Sequence, residues 1–437
     1  MKKSRISVIG MGFVGLSLTV VNAHANFEII GVESNKEKLA NLRRGKTDFY
    51  EPNLSKYLNE SLKKNKISFT ENLDEVKNTD ITFITVGTPS TKDGKIDLSS
   101  LKKVISGLYK VLKNKQAKHL VVIKSTVVPT TTSTVIAPML KKLKNVSIAV
   151  NPEFLREGSA LNDLIHPHLI VIGCVDDKNC KVLETYYKQF YKTMPDIINT
   201  DYTTAEMIKY ANNAFLATKI SFINSIANIC QKLPLVDVNT IARAIGKDPR
   251  IGSQFLQAGP GFGGSCLPKD LSALIKFTDK FHDLNSFFKA VENVNQLQTS
   301  QVIQMLKSMK LFDSKKIIAV LGLAFKKDTD DLREAVSIKL VKNLLKKRLN
   351  IKVHDPMAIE NFKKIFGDKV SYYTKITDCV KSAHCCIILT EWDDYKKLNP
   401  SILKKNMKEL NIIDARRILD PSKFKEFNFK AIGLGPR

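Results

Sequence analysis

The sequence predicts an α/β protein with two doubly wound parallel sheets, joined by a helical central domain that contains one long helix. Three observations predict it. Short apolar runs alternate with helical stretches up to about residue 200, an uninterrupted helical pattern follows, and the strand–helix rhythm returns from Ile317. Strands that alternate with helices form Rossmann-like parallel sheets. We expect domains at residues 1–200, 201–312 and 313–437, because 437 residues exceed one ordinary core.

The first domain begins with an apolar strand, a glycine-rich turn and a helix from Gly12 to about Ala23. Its predicted strands are short runs rich in Ile, Val, Leu and Phe, at residues 5–10, 27–32, 81–86, 120–124, 147–150 and 169–172. Helical or polar stretches separate several of them, which favours a parallel sheet.

The central domain is predicted to be helical. Residues 203–232 contain neither Pro nor Gly, and Pro234 ends the pattern. Further helical patterns occupy residues 236–246 and 285–309. Long helices of this kind often form dimer cores, so we expect a homodimer or a higher homo-oligomer.

The last domain repeats the start of the chain. KKIIAVLGLAF resembles SRISVIGMGFVG, and IKVHDPMAIENFKK resembles IIGVESNKEKLANL. We therefore expect a second, smaller Rossmann-like domain. It lacks the third glycine of the first turn, so we assign it no dinucleotide.

Composition excludes several classes of function. The net charge of +26 comes from lysines scattered along the chain, without zinc-finger spacing or a compact basic tail, so we expect no nucleic-acid partner. No run of about eighteen apolar residues occurs, so we expect no membrane span and a cytoplasmic location. The seven cysteines are irregularly spaced and predict neither a metal site nor a disulfide framework.

A GxGxxG motif, Gly10, Gly12 and Gly15, lies between the first strand and its helix. Small residues there let a pyrophosphate approach the helix N-terminus. Glu33 ends the next strand, where an acidic side chain binds both ribose hydroxyls and favours NAD over NADP. The alternative is a glycine-rich turn without a nucleotide. Lys38 is either close to the same ribose or a solvated lysine.

A second motif, GPGFGGSCLPKD, contains Cys266. Pro268 indicates that a helix begins just after this cysteine, and a helix N-terminus stabilises the nucleophilic thiolate. Asp270 lies one helical turn further on. The alternative is a small buried cysteine in a structural loop.

Lys209 and Asn213, spaced i,i+4 on the long helix, project from one face and can hold an anionic oxygen. Alone, they are more often ordinary polar positions. Glu153 and Glu157, in NPEFLREG, are suited to acid–base chemistry or to helix capping. Cations in LAFKKDTDDLRE, such as Lys326, suit phosphates or are surface charge.

Together these motifs resemble the UDP-glucose/GDP-mannose dehydrogenase family almost from end to end. GMGFVG, TVGTP, KSTVVP, NPEFLREG, KYANNAFLATKISFINSIA, GFGGSCLPKD, LAFKKDTDDLRE and VHDP occur in the family's order. The resemblance implies NAD-dependent oxidation of the C6 alcohol of a nucleotide sugar. A thiohemiacetal on Cys266 would become a thioester, which water would release as a carboxylate.

The resemblance also implies roles for individual residues. Catalytic roles are implied for Cys266, Lys209, Asn213, Asp270, Glu157 and Thr126. Cofactor contacts are implied for Gly10, Gly12, Phe13, Val14, Gly15, Glu33, Lys38, Thr88, Pro89, Thr126, Glu157 and Arg333. Substrate contacts are implied for Glu153, Phe154, Leu155, Lys209, Asn213, Phe262, Gly263, Phe325, Lys326 and Arg416, and for Arg250 across a dimer interface.

The sugar is expected to be UDP-glucose. TEWDDY, DARRILDP and the short GFGGSC run resemble UDP-glucose members, with GDP-mannose and UDP-N-acetylhexosamines as alternatives. Two residues depart from the family: Glu33 replaces the commoner aspartate, and Arg417 stands where asparagine is frequent. A different class, a non-catalytic nucleotide-binding regulator, is disfavoured by the complete set of Cys266, Lys209, Asn213 and Asp270.

Overall fold

A computed structural model describes residues 3–91, 93–281 and 284–436. The chain forms two compact units that divide between Asn212 and Asn213. Both are α/β, as predicted. The division into three domains at residues 200 and 312 stays a prediction.

The first unit is built on an eight-stranded sheet in the order β3-β2-β1-β4-β5-β6-β7-β8. Its strands are β1 Ile6–Ile9, β2 Ile29–Val32, β3 Ile67–Thr70, β4 Ile81–Ile84, β5 His119–Ile123, β6 Val146–Val150, β7 Ile170–Gly173 and β8 Ile197–Thr200. Neighbouring strands run parallel except β6 and β7, which meet antiparallel. The six predicted strands are confirmed, and each predicted end differs from the observed end by no more than two residues. Strands β3 and β8, at the two sheet edges, were not predicted.

Helices cover both faces of this sheet, because its strands are apolar on both sides. They are α1 Phe13–His24, α2 Lys36–Arg43, α3 Leu54–Lys63, α4 Ser99–Leu112, α5 Ala137–Leu140, α6 Ala160–Ile165 and α7 Asp177–Phe190. Within β1, Ile6 and Val8 enter one apolar core while Ile9 enters another. The long helix α8, Tyr202–Cys230, begins in this unit and confirms the uninterrupted helical pattern.

The second unit contains a six-stranded parallel sheet in the order β11-β10-β9-β12-β13-β14. Its elements after α8 are α9 Val238–Ile245, α10 Leu267–Thr278, α11 Ser286–Ser308, β9 Ile317–Leu321, α12 Val336–Lys346, β10 Asn350–His354, α13 Ile359–Phe366, β11 Ser371–Tyr372, α14 Ile376–Val380, β12 Cys385–Ile388, α15 Asp393–Lys396, α16 Pro400–Asn406, β13 Asn411–Asp414 and β14 Asn428–Ala431. The helical stretches predicted at 236–246 and 285–309 are confirmed as α9 and α11. One apolar core joins these central helices to the sheet.

One disulfide corrects the expectation from cysteine spacing. Cys174, directly after β7, is bonded to Cys180 in the first turn of α7. A separation of six residues across a strand–helix turn resembles no common disulfide motif, so spacing alone could not reveal it. Cys385 and Cys386 are fully buried in β12.

Within the described residues, no helix is long and apolar enough to cross a membrane. The same residues contain no cluster of three His, Cys, Asp or Glu side chains arranged to hold a metal ion.

Arg417, one of the two departures from the family pattern, has a structural role. Its φ of 58° lies in the left-handed region, which asparagine tolerates better than most residues. Its guanidinium donates to both carboxylate oxygens of Asp237 at 2.8 and 2.9 Å, and to the carbonyl of Ile432. Asp237 in turn caps the N-terminus of α9. The side chain of Arg417 therefore ties the end of β13 to a central helix.

We predict that Arg417→Ala lowers the free energy of unfolding by about 3 kcal/mol, because it leaves Asp237 without its bidentate partner. Urea denaturation of the two proteins measures this. Lys425→Ala, a change at an exposed position nearby, is the control. An equal stability of Arg417→Ala and the control would contradict the assignment.

Candidate active site

The glycine-rich turn between β1 and α1 is built as its motif predicts. Gly10 has a φ of 94°, a conformation that favours glycine. A Cβ on Gly15 would clash with the carbonyl oxygen of Gly10, whereas one on Gly12 would meet nothing within 4 Å. Gly12 is the N-cap of α1, and Phe13 and Val14 follow it. The turn thus leaves open space at a helix N-terminus, as a pyrophosphate requires.

Glu33, directly after β2, faces this turn. Its Oε2 accepts a hydrogen bond from the backbone N–H of Met11 at 3.1 Å, and its Oε1 accepts one from Asn35 at 2.9 Å. The carboxylate is therefore fixed beside the GxGxxG motif. Lys38 lies on α2, where its Nζ is 2.8 Å from Asp48. The implied contact of Lys38 with the ribose stays a prediction.

The loops after β4 and β5 meet at the same edge of the sheet. The hydroxyl of Thr88 donates to the backbone carbonyl of Thr126 at 2.7 Å. The hydroxyl of Ser125 donates to the backbone carbonyl of Val86 at 2.7 Å. These bonds bring together Thr126 and the Thr88–Pro89 segment.

The NPEFLREG loop after β6 holds a buried ion pair. Glu153 Oε1 lies 3.0 Å from Lys209 Nζ, and both side chains are buried. The ammonium of Lys209 also lies 5.4 Å from the ring centroid of Phe154. Burial alone would raise the pKa of Glu153. The charges of Lys209 and Lys124, with a hydrogen bond from the N–H of Leu155, hold that pKa below its ordinary value. Glu153 is therefore ionised.

Glu51 belongs to this region but was missed by sequence reasoning. Its buried carboxylate accepts hydrogen bonds from the N–H groups of Gly158 at 2.7 Å and Ala160 at 2.8 Å. These two residues follow the buried Glu157 and lead into α6. Glu51 thus fixes the backbone next to a predicted catalytic acid. No spacing pattern connects it with that loop, since the two lie more than a hundred residues apart.

In the second unit, Cys266 is the N-cap of α10, with Pro268 in the first turn, as predicted. Its thiol is half-buried and lies 3.4 Å from the hydroxyl of Ser265. The N–H groups and the dipole of a helix N-terminus favour a thiolate. Asp270, one turn further on, is buried and accepts a hydrogen bond from the amide of Asn213 at 2.7 Å. Asn213 and Asp270 are thus paired one helical turn after Cys266, and we refer to these three residues as the Cys266 cluster.

The glycines before Cys266 are required by a second loop. A Cβ on Gly264 would lie 2.7 Å from the ring of Phe325. The N–H of Gly264 donates to the carbonyl of Arg333 at 2.8 Å. The guanidinium of Arg416 donates to the carbonyl of Phe325 at 2.9 Å. The loop before Cys266 thus meets the loop after β9. The predicted substrate residues at this contact are Phe262, Gly263, Phe325 and Arg416, with Lys326 next to Phe325.

Asp355, the aspartate of the VHDP motif, holds the loop that follows β9. Its buried carboxylate accepts hydrogen bonds from the N–H groups of Leu323 and Ala324 and from the indole of Trp392. Its other oxygen accepts from Met357 and Ala358. Asp355 therefore fixes the backbone that leads to Phe325.

Two predicted arginines make contacts on their own loops. Arg333 is exposed and pairs with Asp331 at 2.7 Å. Arg250 is also exposed and pairs with Asp248 at 2.7 Å. The described contacts of Arg250 lie within its own turn, so its implied role across a dimer interface stays a prediction.

A dinucleotide-type glycine turn on a doubly wound sheet, in a chain that also places a thiol at a helix N-terminus, is the arrangement of a nucleotide-dependent dehydrogenase. Comparison with known proteins agrees. The chain matches the UDP-glucose/GDP-mannose dehydrogenase family in its NAD binding domain over residues 4–191, its central domain over 203–297 and its UDP binding domain over 319–421. The chain belongs to this family.

Individual relatives match over nearly the whole chain. The UDP-glucose 6-dehydrogenase of Rickettsia felis is 37% identical over 435 residues, which cover 99% of this chain and 96% of that protein. The solved UDP-glucose dehydrogenase of Pyrobaculum islandicum superposes with a TM-score of 0.91 at 35% identity, covering 99% and 98% of the two chains. A UDP-D-ManNAc dehydrogenase from Pyrococcus horikoshii has a TM-score of 0.86 at 26% identity, covering 98% and 99%.

We predict that Gly15→Ala and Gly12→Ala have different effects. Gly15→Ala forces a methyl group against the backbone of Gly10 and should lower stability by about 1–3 kcal/mol. Gly12→Ala has room for the methyl group and should keep its stability, but lose NAD affinity because the methyl occupies the pyrophosphate's approach. Thermal unfolding and NAD titration by calorimetry measure the two effects. Full NAD affinity in Gly12→Ala would contradict this use of the turn.

Proposed function

We propose that this chain oxidises the C6 alcohol of UDP-glucose to the carboxylate of UDP-glucuronate, a four-electron oxidation with NAD as the hydride acceptor. The observation that supports it best is the Cys266 cluster. A thiol lies at a helix N-terminus, with a carboxylate one turn away and an amide hydrogen-bonded to that carboxylate. This arrangement suits the capture of an aldehyde by sulfur and the later hydrolysis of the thioester.

The residues of the first unit fit NAD. The open space at Gly12 suits the pyrophosphate, and the fixed carboxylate of Glu33 suits the ribose hydroxyls. The aspartate-to-glutamate departure leaves this fit intact, because Glu33 keeps a carboxylate beside the turn. When bound, NAD supplies a hydride acceptor for each of the two oxidations. The implied contacts of Lys38, Thr88, Pro89 and Arg333 with the cofactor are part of the proposal.

The protein's own chemistry centres on the thiolate. After the alcohol has lost a hydride and a proton, the sulfur of Cys266 adds to C6 of the aldehyde and forms a thiohemiacetal. Loss of a second hydride and a proton leaves a thioester. Water attacks C6, the C–S bond breaks, and the carboxylate and the thiol are released. Alcohol and water thus yield carboxylate, two hydrides and three protons.

Neighbouring groups stabilise charge and direct the water. The ammonium of Lys209 and the amide of Asn213, one turn apart on α8, would hold the oxyanion that forms when sulfur or water adds to C6. Asp270, Thr126 and Glu157 would orient and deprotonate the hydrolytic water. Glu153, Phe325, Lys326 and Arg416 would contact the sugar nucleotide.

UDP-glucose is preferred over the alternative sugars by two observations. Curated relatives that are 37% and 38% identical to this chain are named UDP-glucose 6-dehydrogenases. The UDP-D-ManNAc dehydrogenase is only 26% identical. GDP-mannose and UDP-N-acetylhexosamines remain the alternatives to be tested. A cytoplasmic location, inferred from the sequence, belongs to the same proposal.

We further propose that the protein works as a homodimer through α8. Phe215, Phe222 and Ile229 recur every seven residues on this helix and are 64%, 51% and 56% exposed. Large apolar side chains repeated at this spacing form the seam between two packed helices. A second copy of the chain is the occupant we propose for this stripe.

The enzymatic proposal predicts that wild-type protein forms two NADH per UDP-glucose consumed. Cys266→Ser should reduce carboxylate formation by at least about 1000-fold while binding of NAD and UDP-glucose persists, because only the covalent step is lost. Absorbance at the NADH band and mass analysis of the product measure this. Cys230→Ser, a thiol outside the cluster, is the control. Turnover with another nucleotide sugar but not with UDP-glucose would contradict the proposed substrate. Full activity of Cys266→Ser would contradict the proposed mechanism.

The dimer proposal predicts that Phe222→Glu shifts the protein toward the monomer, because a charge in an apolar seam must be desolvated. Light scattering on a sizing column gives the mass. Val182→Glu, at a half-exposed position on α7, is the control. A dimer that survives both Phe222→Glu and Phe215→Glu would contradict the proposed surface.

A further inference from the structure

Lys124 is a buried lysine that opens the KSTVVP motif, but the proposed chemistry gives it no role. It directly follows β5, and its N–H donates to the carbonyl of Ile84 at 3.0 Å. Only 5% of the residue is exposed. Lysines are almost never buried to this degree without a compensating partner. The position is two residues before Thr126, at the edge of the sheet that bears the predicted catalytic groups.

The ammonium of Lys124 is fixed by Asn151. Its Nζ donates to Asn151 Oδ1 at 2.9 Å and lies 3.4 Å from the carbonyl of the same residue. Asn151 Oδ1 also accepts the hydroxyl of Tyr187 at 2.5 Å, and its Nδ2 donates to Val171 at 2.8 Å. The amide is therefore held from α7 and β7, so it presents its oxygen to Lys124 in one orientation.

The charges that act on Lys124 are Glu153 and Lys209. Burial lowers the pKa of Lys124 to about 8, while the Glu153 carboxylate raises it and the Lys209 ammonium lowers it. Tyr187 is neutral, because burial raises the pKa of its hydroxyl well above the ordinary value. The charged groups that act on Lys124 are thus one ammonium ion and one carboxylate, and we refer to these three side chains as the Lys124 group.

The net charge of this group decides what Lys209 can do. Glu153 lies 3.0 Å from Lys209 and cancels most of its field, so the pair alone would stabilise an oxyanion poorly. We propose that Lys124 is a positioning residue that restores a net positive charge to the Glu153–Lys209 pair and so lets Lys209 stabilise the oxyanion. This inference rests on the proposed function.

Loss of the Lys124 proton at alkaline pH is expected to lower activity and to raise stability. As pH rises through about 8, Lys124 loses its proton, the group becomes neutral and kcat falls. The folded pKa lies below the unfolded one, so the unfolded chain binds more protons between the two. Stability therefore rises with pH in this window, from about 8 toward 10.5.

The test compares wild type with Lys124→Met and Lys124→Arg. Lys124→Met should lower kcat with UDP-glucose at pH 7 by roughly 10- to 50-fold, with KM little changed, since one unit charge near the oxyanion is lost. It should also lose both the fall in activity and the rise in stability near pH 8. Lys124→Arg keeps the cation, so its kcat at pH 7 should stay within a few-fold and its alkaline fall should move to higher pH.

Lys118→Met, the same change at the exposed residue just before β5, is the control. All these proteins carry Cys266, so the difference between their pH profiles reports the change at Lys124. A Lys124→Met enzyme with wild-type kcat and pH profile would overturn this inference alone, whereas a wild type inactive on every nucleotide sugar would overturn the proposed function. If neither variant folds, a wild-type kcat that does not fall between pH 7 and 9 is sufficient to reject the inference.

Discussion

Parallel strands impose the constraint on which the rest of this protein depends. A chain that leaves the carboxyl end of one strand must cross the sheet before it enters the next strand in the same direction. In the first unit, β1, β2, β4, β5 and β6 all end at one edge. The glycine turn, Glu33, Thr88, Thr126 and Glu153 each follow one of these strands. Backbone geometry thus gathers residues far apart in sequence before any side chain makes a specific contact.

The second constraint is that charged groups at such an edge are partly removed from water. In the first unit, hydrogen bonds and ion pairs stabilise these charged groups in place of water. Glu51 binds two backbone N–H groups, and Glu153 binds both an ammonium and an N–H. In the second unit, Asp355 does the same for a loop and an indole. Each group is rigid because moving it would leave several buried partners unsatisfied.

Much of the fold could be predicted from the sequence, because buried parallel strands are continuous apolar runs and α8 lacks Pro and Gly. The edge strands β3 and β8 escaped prediction because each carries few buried residues and thus little hydrophobic pattern. The Cys266 loop was predictable from local rules: glycine density and a proline at the start of a helix. Glu51, Lys124 and the partner of Arg417 were not, since their tasks depend on contacts between distant segments, which no local spacing encodes. The bond between Cys174 and Cys180 is local, but its separation of six residues matches no common disulfide motif, so it escaped prediction as well.

The six strands of the second sheet repeat the order of the first six strands in the eight-stranded sheet, yet the first turns of the two sheets differ. In the first unit α1 starts three residues after Gly10, whereas in the second α12 starts fourteen residues after Gly322. The same order of strands thus accommodates a short turn in one sheet and a long loop in the other. Chain length at this edge is therefore decoupled from sheet topology. The long loop between Gly322 and Val336 therefore adds Phe325, Lys326 and Arg333 at this edge while the sheet keeps its strand order.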